Sequence, residues 1–167
     1  MNPHIEYSSR DRAIALLNML PGRLGAGWPK ADPDWVALRT AKELEWTLRI
    51  EAHEFTFLHS LDAERGARLV VECRCGIAPR SSVTECYRKL LAINHQNFAK
   101  DPSAYALDTA TKAVIYSSGY LLESLDIDKL TAVVIDSARR AISWQEECAP
   151  ALDAHPASID SPLLLQI

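Results

Sequence analysis

Of the residues that could do chemistry in this chain, the four cysteines are the first to weigh. Cys73 and Cys75 stand two apart, so on a strand both thiols would share one face, and Cys86 could approach from the next element. Such a set would suit a soft metal ion. Structural zinc, however, is held by thiol pairs at C-x2–4-C spacing, and C-x-C on a strand does not make that geometry. The three are therefore expected to be small buried side chains. Pairing Cys86 with His95 as nucleophile and base fails on a helix, where a nine-residue offset is about two and a half turns and puts the two on opposite sides. His4, His53, His59 and His155 follow no ligand spacing. Asp62, Asp108, Asp126 and Asp128 stand where turns and helix starts need carboxylates. Neither a phosphate-binding glycine loop nor a G-x-S-x-G elbow occurs. The residues predict no catalytic, metal or cofactor site, and the chain is expected not to be an enzyme.

The elements that position these residues can be read from hydrophobic period and caps. Ser8 and Ser9 are expected to cap a first helix with the stripe Ala13, Leu16, Leu17 and Leu20, ended by Pro21-Gly22. Residues 21–43 hold prolines, glycines, Trp28 and Trp35, and read as a loop with at most one helical turn over 36–44. Trp46, Leu48 and Ile50 alternate with polar residues, as do Phe55, Phe57 and His59. After an Asp62–Gly66 turn, Leu69, Val71, Cys73 and Cys75 share a face. Together these segments predict an antiparallel three-stranded meander. Pro79 breaks the sheet, and Ser82 to Glu85 form a capping box. The second helix carries Val83, Cys86, Tyr87, Leu90, Leu91, Asn94 and Phe98 along one side and stops at Asp101-Pro102. Tyr105–Leu107 and Ala113–Tyr120 make a hairpin around Asp108–Lys112. Ser124 or Asp126 caps the longest helix, with its stripe at Leu130, Val133, Val134, Ser137, Ala138 and Ala141.

Helix, three strands, helix, hairpin, helix, without βαβ crossovers, predicts an α+β fold: one twisted antiparallel sheet packed by helices. The expected domain spans residues 1–147, and the proline-bearing stretch 148–167 reads as an irregular tail. A chain of 167 residues with 48% hydrophobic content can build one real core. A net charge of −4 and the lack of a Lys/Arg cluster argue against nucleic acid as a partner. Residues 1–10 lack the apolar core of a signal peptide, and no apolar run is long enough for membrane insertion. A cytoplasmic location with reduced cysteines is the expectation.

With no chemistry to place, function is sought in apolar surface. Trp46, Leu48, Ile50, Phe55 and Phe57 load the sheet, the short first helix is strongly apolar, and Phe98, Tyr105, Leu107, Val114 and Tyr116 follow. As a set they exceed what a lone subunit is expected to bury, and point to self-association or partner binding.

Several segments then resemble one family, the class I type III secretion chaperones, or Tir-chaperone-like proteins. Residues 46–79, closing on Cys75-Gly76 and Pro79, are similar to its central meander. Leu90-Leu91-Ala92-Ile93-Asn94 is similar to its LLxxN helix. Ala106-Leu107-Asp108 with Ala113 to Tyr116 resembles its second hairpin, and Leu121 to Asp126, Leu130 and the helix ending near Trp144 resemble its last helix. The long 21–43 link and the tail after Cys148 depart from the pattern. The resemblance implies a cytoplasmic homodimer that needs no nucleotide and binds the N-terminal segment of a secreted effector in an extended, non-globular state, keeping it soluble and secretion-competent. It implies a dimer interface on Leu91, Asn94, Phe98, Tyr105 and Leu107. Client contacts are expected on Leu16, Leu17 and Leu20 of the first helix and on Trp46, Leu48, Ile50 and Phe57 of the sheet. The alternatives are a small thiol enzyme using Cys75 or Cys86, and a regulatory dimer without a client.

Overall fold

The computed structural model describes residues 3–24, 44–50, 53–62, 66–78, 83–97 and 103–147. Its elements are α1 (Pro3–Leu24), β1 (Leu44–Ile50), β2 (His53–Asp62), β3 (Gly66–Ile77), α2 (Val83–Asn97), β4 (Ser103–Leu107), β5 (Ala113–Leu121), a 3-10 turn (Leu122–Ser124) and α3 (Ile127–Glu147). The predicted α+β architecture is the observed one. A single antiparallel sheet carries the strands in the order β1-β2-β3-β5-β4. The expected turn at 36–44, Phe98 and the tail from Cys148 lie outside the described residues.

Helix α1 differs from expectation at both ends. It begins at Pro3, so Ser8 and Ser9 lie inside it, and it continues through Pro21 to Leu24. Proline is tolerated at a first helical position because the N–H it lacks would have no partner there. Pro21 stands within the last turn, where its missing N–H costs one terminal hydrogen bond. The stripe itself is as read: Ala13, Leu16, Leu17 and Leu20 are buried. Arg12 anchors this helix, donating to the carbonyls of Leu122 and Leu125 at 3.1 Å each, on the turn that leads into α3.

The sheet has one loaded face. Cross-strand neighbours Trp46 and Phe57 hold their rings 5.3 Å apart, and Phe55 stacks beside Phe57 at 6.4 Å. Phe55 pairs with Cys73 and Phe57 with Val71, continuing the apolar face into β3. Helix α3 lies over β3 with α1 at its side, and Leu130, Val134, Ala141 and Trp144 complete the core. Each large side chain buried here contributes about 1.5–3 kcal/mol. The opposite face is mixed: Thr47 and Thr56 meet at 3.5 Å, Glu54 pairs with Arg74, Ser117 donates to Glu72, and Leu58 pairs with Val70 among them.

Two local devices shape the sheet. The β3–β5 register slips between Arg74 and Gly76, where Gly76 adopts φ +147° and brings the backbone against the Trp144 ring. The Gln145 amide donates to the Cys75 carbonyl at 2.6 Å and ties the end of α3 to the same bulge. In the β4–β5 turn, Asp108 accepts from the Ala110 amide at 2.9 Å and from the Thr111 hydroxyl. Those bonds, the Thr111 bond foremost, hold the Asp108 carboxyl below its usual range. Asp126 accepts from the Lys129 amide at 2.8 Å, so of the two expected caps Asp126 starts α3.

Candidate partner-binding edges

Strand order leaves two strands at the margins of the sheet, β1 and β4. A marginal strand has one row of main-chain N–H and C=O groups turned away from its neighbour, a template for another strand. On β1 the register identifies that row. Two residues separate the Ile50–His53 pair, which makes it a hydrogen-bonded pair, and pairs alternate from there. Glu45, Thr47 and Arg49 therefore turn their main-chain groups away from β2.

The same alternation applies to β4. The Asp108 amide donates to the Ala113 carbonyl at 2.8 Å, so Tyr105 opposite Tyr116 is a non-bonded pair whose main chain turns outward. Helix α2 runs along this side. From it, the Asn94 carboxamide donates to the Tyr105 carbonyl at 2.8 Å and accepts from the Tyr105 N–H at 2.7 Å. Tyr105 packs its ring on Tyr116 at 5.0 Å, Tyr116 donates to Ser103 at 2.7 Å, and Arg140 covers the Tyr116 ring at 5.0 Å.

The seven residues expected to face a client are all in the core of the subunit. Leu16 is the most exposed of them at 6%, and Leu17, Leu20 and Phe57 are at 0%, with Trp46, Leu48 and Ile50 also buried. A stripe at helical spacing and alternation on a strand describe a core face as well as a binding face, and here these side chains lie inside the subunit. In this conformation they are closed to a client. Met19, which the stripe on α1 does not include, is 49% exposed.

The residues expected at the dimer interface are more dispersed. Leu91 is 67% exposed on α2, and Tyr87, one turn earlier, is also exposed. Tyr105 and Leu107 are half-buried, and Asn94 spends its polar atoms on its own chain.

Cys73, Cys75 and Cys86 are all buried. The Cys75 thiol donates to the Cys73 carbonyl at 3.5 Å. Contact with the Cys75 side chain, together with burial, pushes the Cys73 thiol far up, which keeps it protonated at neutral pH. Thiols enclosed in this way lack the exposure that a nucleophile needs. Among the described residues, no group of three or more His, Cys, Asp or Glu could hold a metal ion. None of the described helices is long and apolar enough to cross a membrane.

Comparison with known proteins bears on this arrangement directly. In fold the chain is similar to the structure described as the crystal structure of the ExsC-ExsE complex, with a TM-score of 0.63 and 23% identity, over 83% of this chain and 96% of that one. No curated protein sequence matches. The family model of the Tir chaperone proteins matches residues 40–145, more than half of the chain and everything from β1 to the last turn of α3, so the chain belongs to the Tir chaperone protein (CesT) family.

Proposed function

We propose that this chain acts as a cytoplasmic homodimer that holds the N-terminal segment of a secreted effector as an extended chain. Membership of the Tir chaperone family is the observation that carries the reading: the chain is a type III secretion chaperone, and its client is an effector. The manner of holding follows from the fold. The outward row of Glu45, Thr47 and Arg49 on β1 offers main-chain donors and acceptors to an extended client with little demand on its sequence. Met19 on α1 supplies apolar contact, with Leu16 and Leu20 buried behind it. An extended client exposes the main-chain groups that such an edge pairs, whereas a folded one has already spent them. Held in this state, the client neither aggregates nor folds before export. The second copy is placed on α2 and β4, where Leu91 and Tyr87 are exposed and Leu107 is half-buried.

The test is co-expression with N-terminal segments of effectors from the same bacterium, followed by light scattering and affinity measurement. A stable complex containing two copies of the chain is expected. Thr47→Pro removes one outward N–H from β1 while leaving its pairing with β2 intact. It is expected to weaken client binding roughly fivefold, the value of one hydrogen bond. Unchanged affinity would move the client away from β1, and failure of every effector segment to bind would remove the chaperone reading.

A further inference from the structure

Strand β4 reads SAYAL, with no charge, no proline and no bulge. These are usual devices by which an edge strand avoids pairing with another copy of itself; β4 has instead its shortness and the neighbouring α2, from which Asn94 reaches it. Its outward row is centred on Tyr105. There the Asn94 carboxamide presents an acceptor to the N–H and a donor to the C=O, at 2.7 and 2.8 Å, the pair of groups that a neighbouring strand would present. Asparagine is a poor choice within a helix, because its side chain competes for main-chain hydrogen bonds. Here that tendency is directed at another element.

We propose that Asn94 is an edge lock: its side chain occupies the outward main-chain groups of Tyr105 and so refuses strand addition by the β4 of a second copy. Copies of the chain then meet across α2 and β4 through side chains, and sheets do not fuse into open-ended ribbons. The lock also leaves β1 as the marginal strand that can accept an extended chain, and this last consequence rests on the client reading above. Residues such as Leu91 can still form a closed interface, since closure needs side-chain contact and not a continuous sheet.

Asn94→Ala tests the lock without any client. Exchange of the Tyr105 amide, measured relative to its intrinsic rate by NMR, is expected to rise roughly fivefold to tenfold, as the loss of one hydrogen bond implies. Light scattering is expected to show species larger than the wild-type particle, growing with concentration. Unchanged Tyr105 protection, or unchanged particle size up to millimolar concentration, overturns the proposal. The circular dichroism and melting profile of Asn94→Ala guard against an effect of misfolding. Larger species that form while the folded spectrum is kept support the lock, and larger species that appear only with loss of that spectrum sink it. Client affinity of Asn94→Ala is expected to match the wild type, because β1 is the opposite margin of the sheet. Loss of that affinity alone would count against the β1 reading and leave the lock standing on exchange and particle size.

Discussion

At Leu17 the spacing that marks a binding stripe also marks a core stripe. Residues 13, 16, 17 and 20 lie along one side of α1 whichever surface covers them, and the residue types do not distinguish a foreign chain from the molecule's own sheet. The structure places Leu17 at 0% exposure. A carboxylate there would be buried without a partner, at a cost of several kcal/mol against a total stability of about 5–15 kcal/mol. Leu17→Asp is therefore expected to lower the melting temperature steeply and reduce the yield of folded protein. A variant that melts like the wild type while shedding its client would return Leu17 to the surface. Asn94 is the converse case. Its place in the LLxxN segment was legible, but the partner of its carboxamide was not, because Tyr105 is brought opposite only when α2 turns back along β4. The cysteines were legible as small buried groups, since strand alternation puts Cys73 and Cys75 on the loaded face.

Among the elements, strands were easier to read than helix ends. Alternation over 46–50, 55–59 and 69–75 marks the middle of each strand, and pairing with neighbours then extends each by a few residues. The ends of α1 were misjudged because neither local signal bounds it: Ser8 and Ser9 lie inside the helix, and Pro21 removes one terminal hydrogen bond without ending the turn. The bulge in β3 belongs to this scale too. Gly76 stands at φ +147°, and a Cβ there would meet the Trp144 ring at 3.0 Å. Gly76→Ala combines backbone strain with crowding of α3, and is expected to destabilise the protein by about 1–3 kcal/mol. A denaturant titration followed by circular dichroism would measure this, and an unchanged midpoint would mean that α3 is not pressed against the bulge.

At the scale of the molecule, the described residues make a sheet with one packed face, one mixed face and two unlike margins. Its helices cover the packed face and the β4 side, and the exposed apolar side chains on α2 are the place proposed for a second copy. Leu91→Asp puts a charge there without touching the core of the subunit, since Leu91 is 67% exposed. Dimer affinity is expected to fall roughly thirtyfold or more, with the melting profile at high dilution unchanged. An unaltered mass by light scattering would place the interface elsewhere. Leu107→Asp is a less clean probe, because Leu107 is half-buried against its own core. Fold class, element order and family were all legible along the amino-acid chain. Fold class and element order follow from period, caps and turn residues, which act over a few neighbours along the chain, whereas the family was a resemblance of whole segments. Which apolar residues lie inside, and what the Asn94 carboxamide meets, are set by the folded chain. Those outcomes depend on contacts between residues far apart in sequence, and no local pattern encodes which of two apolar faces will be covered.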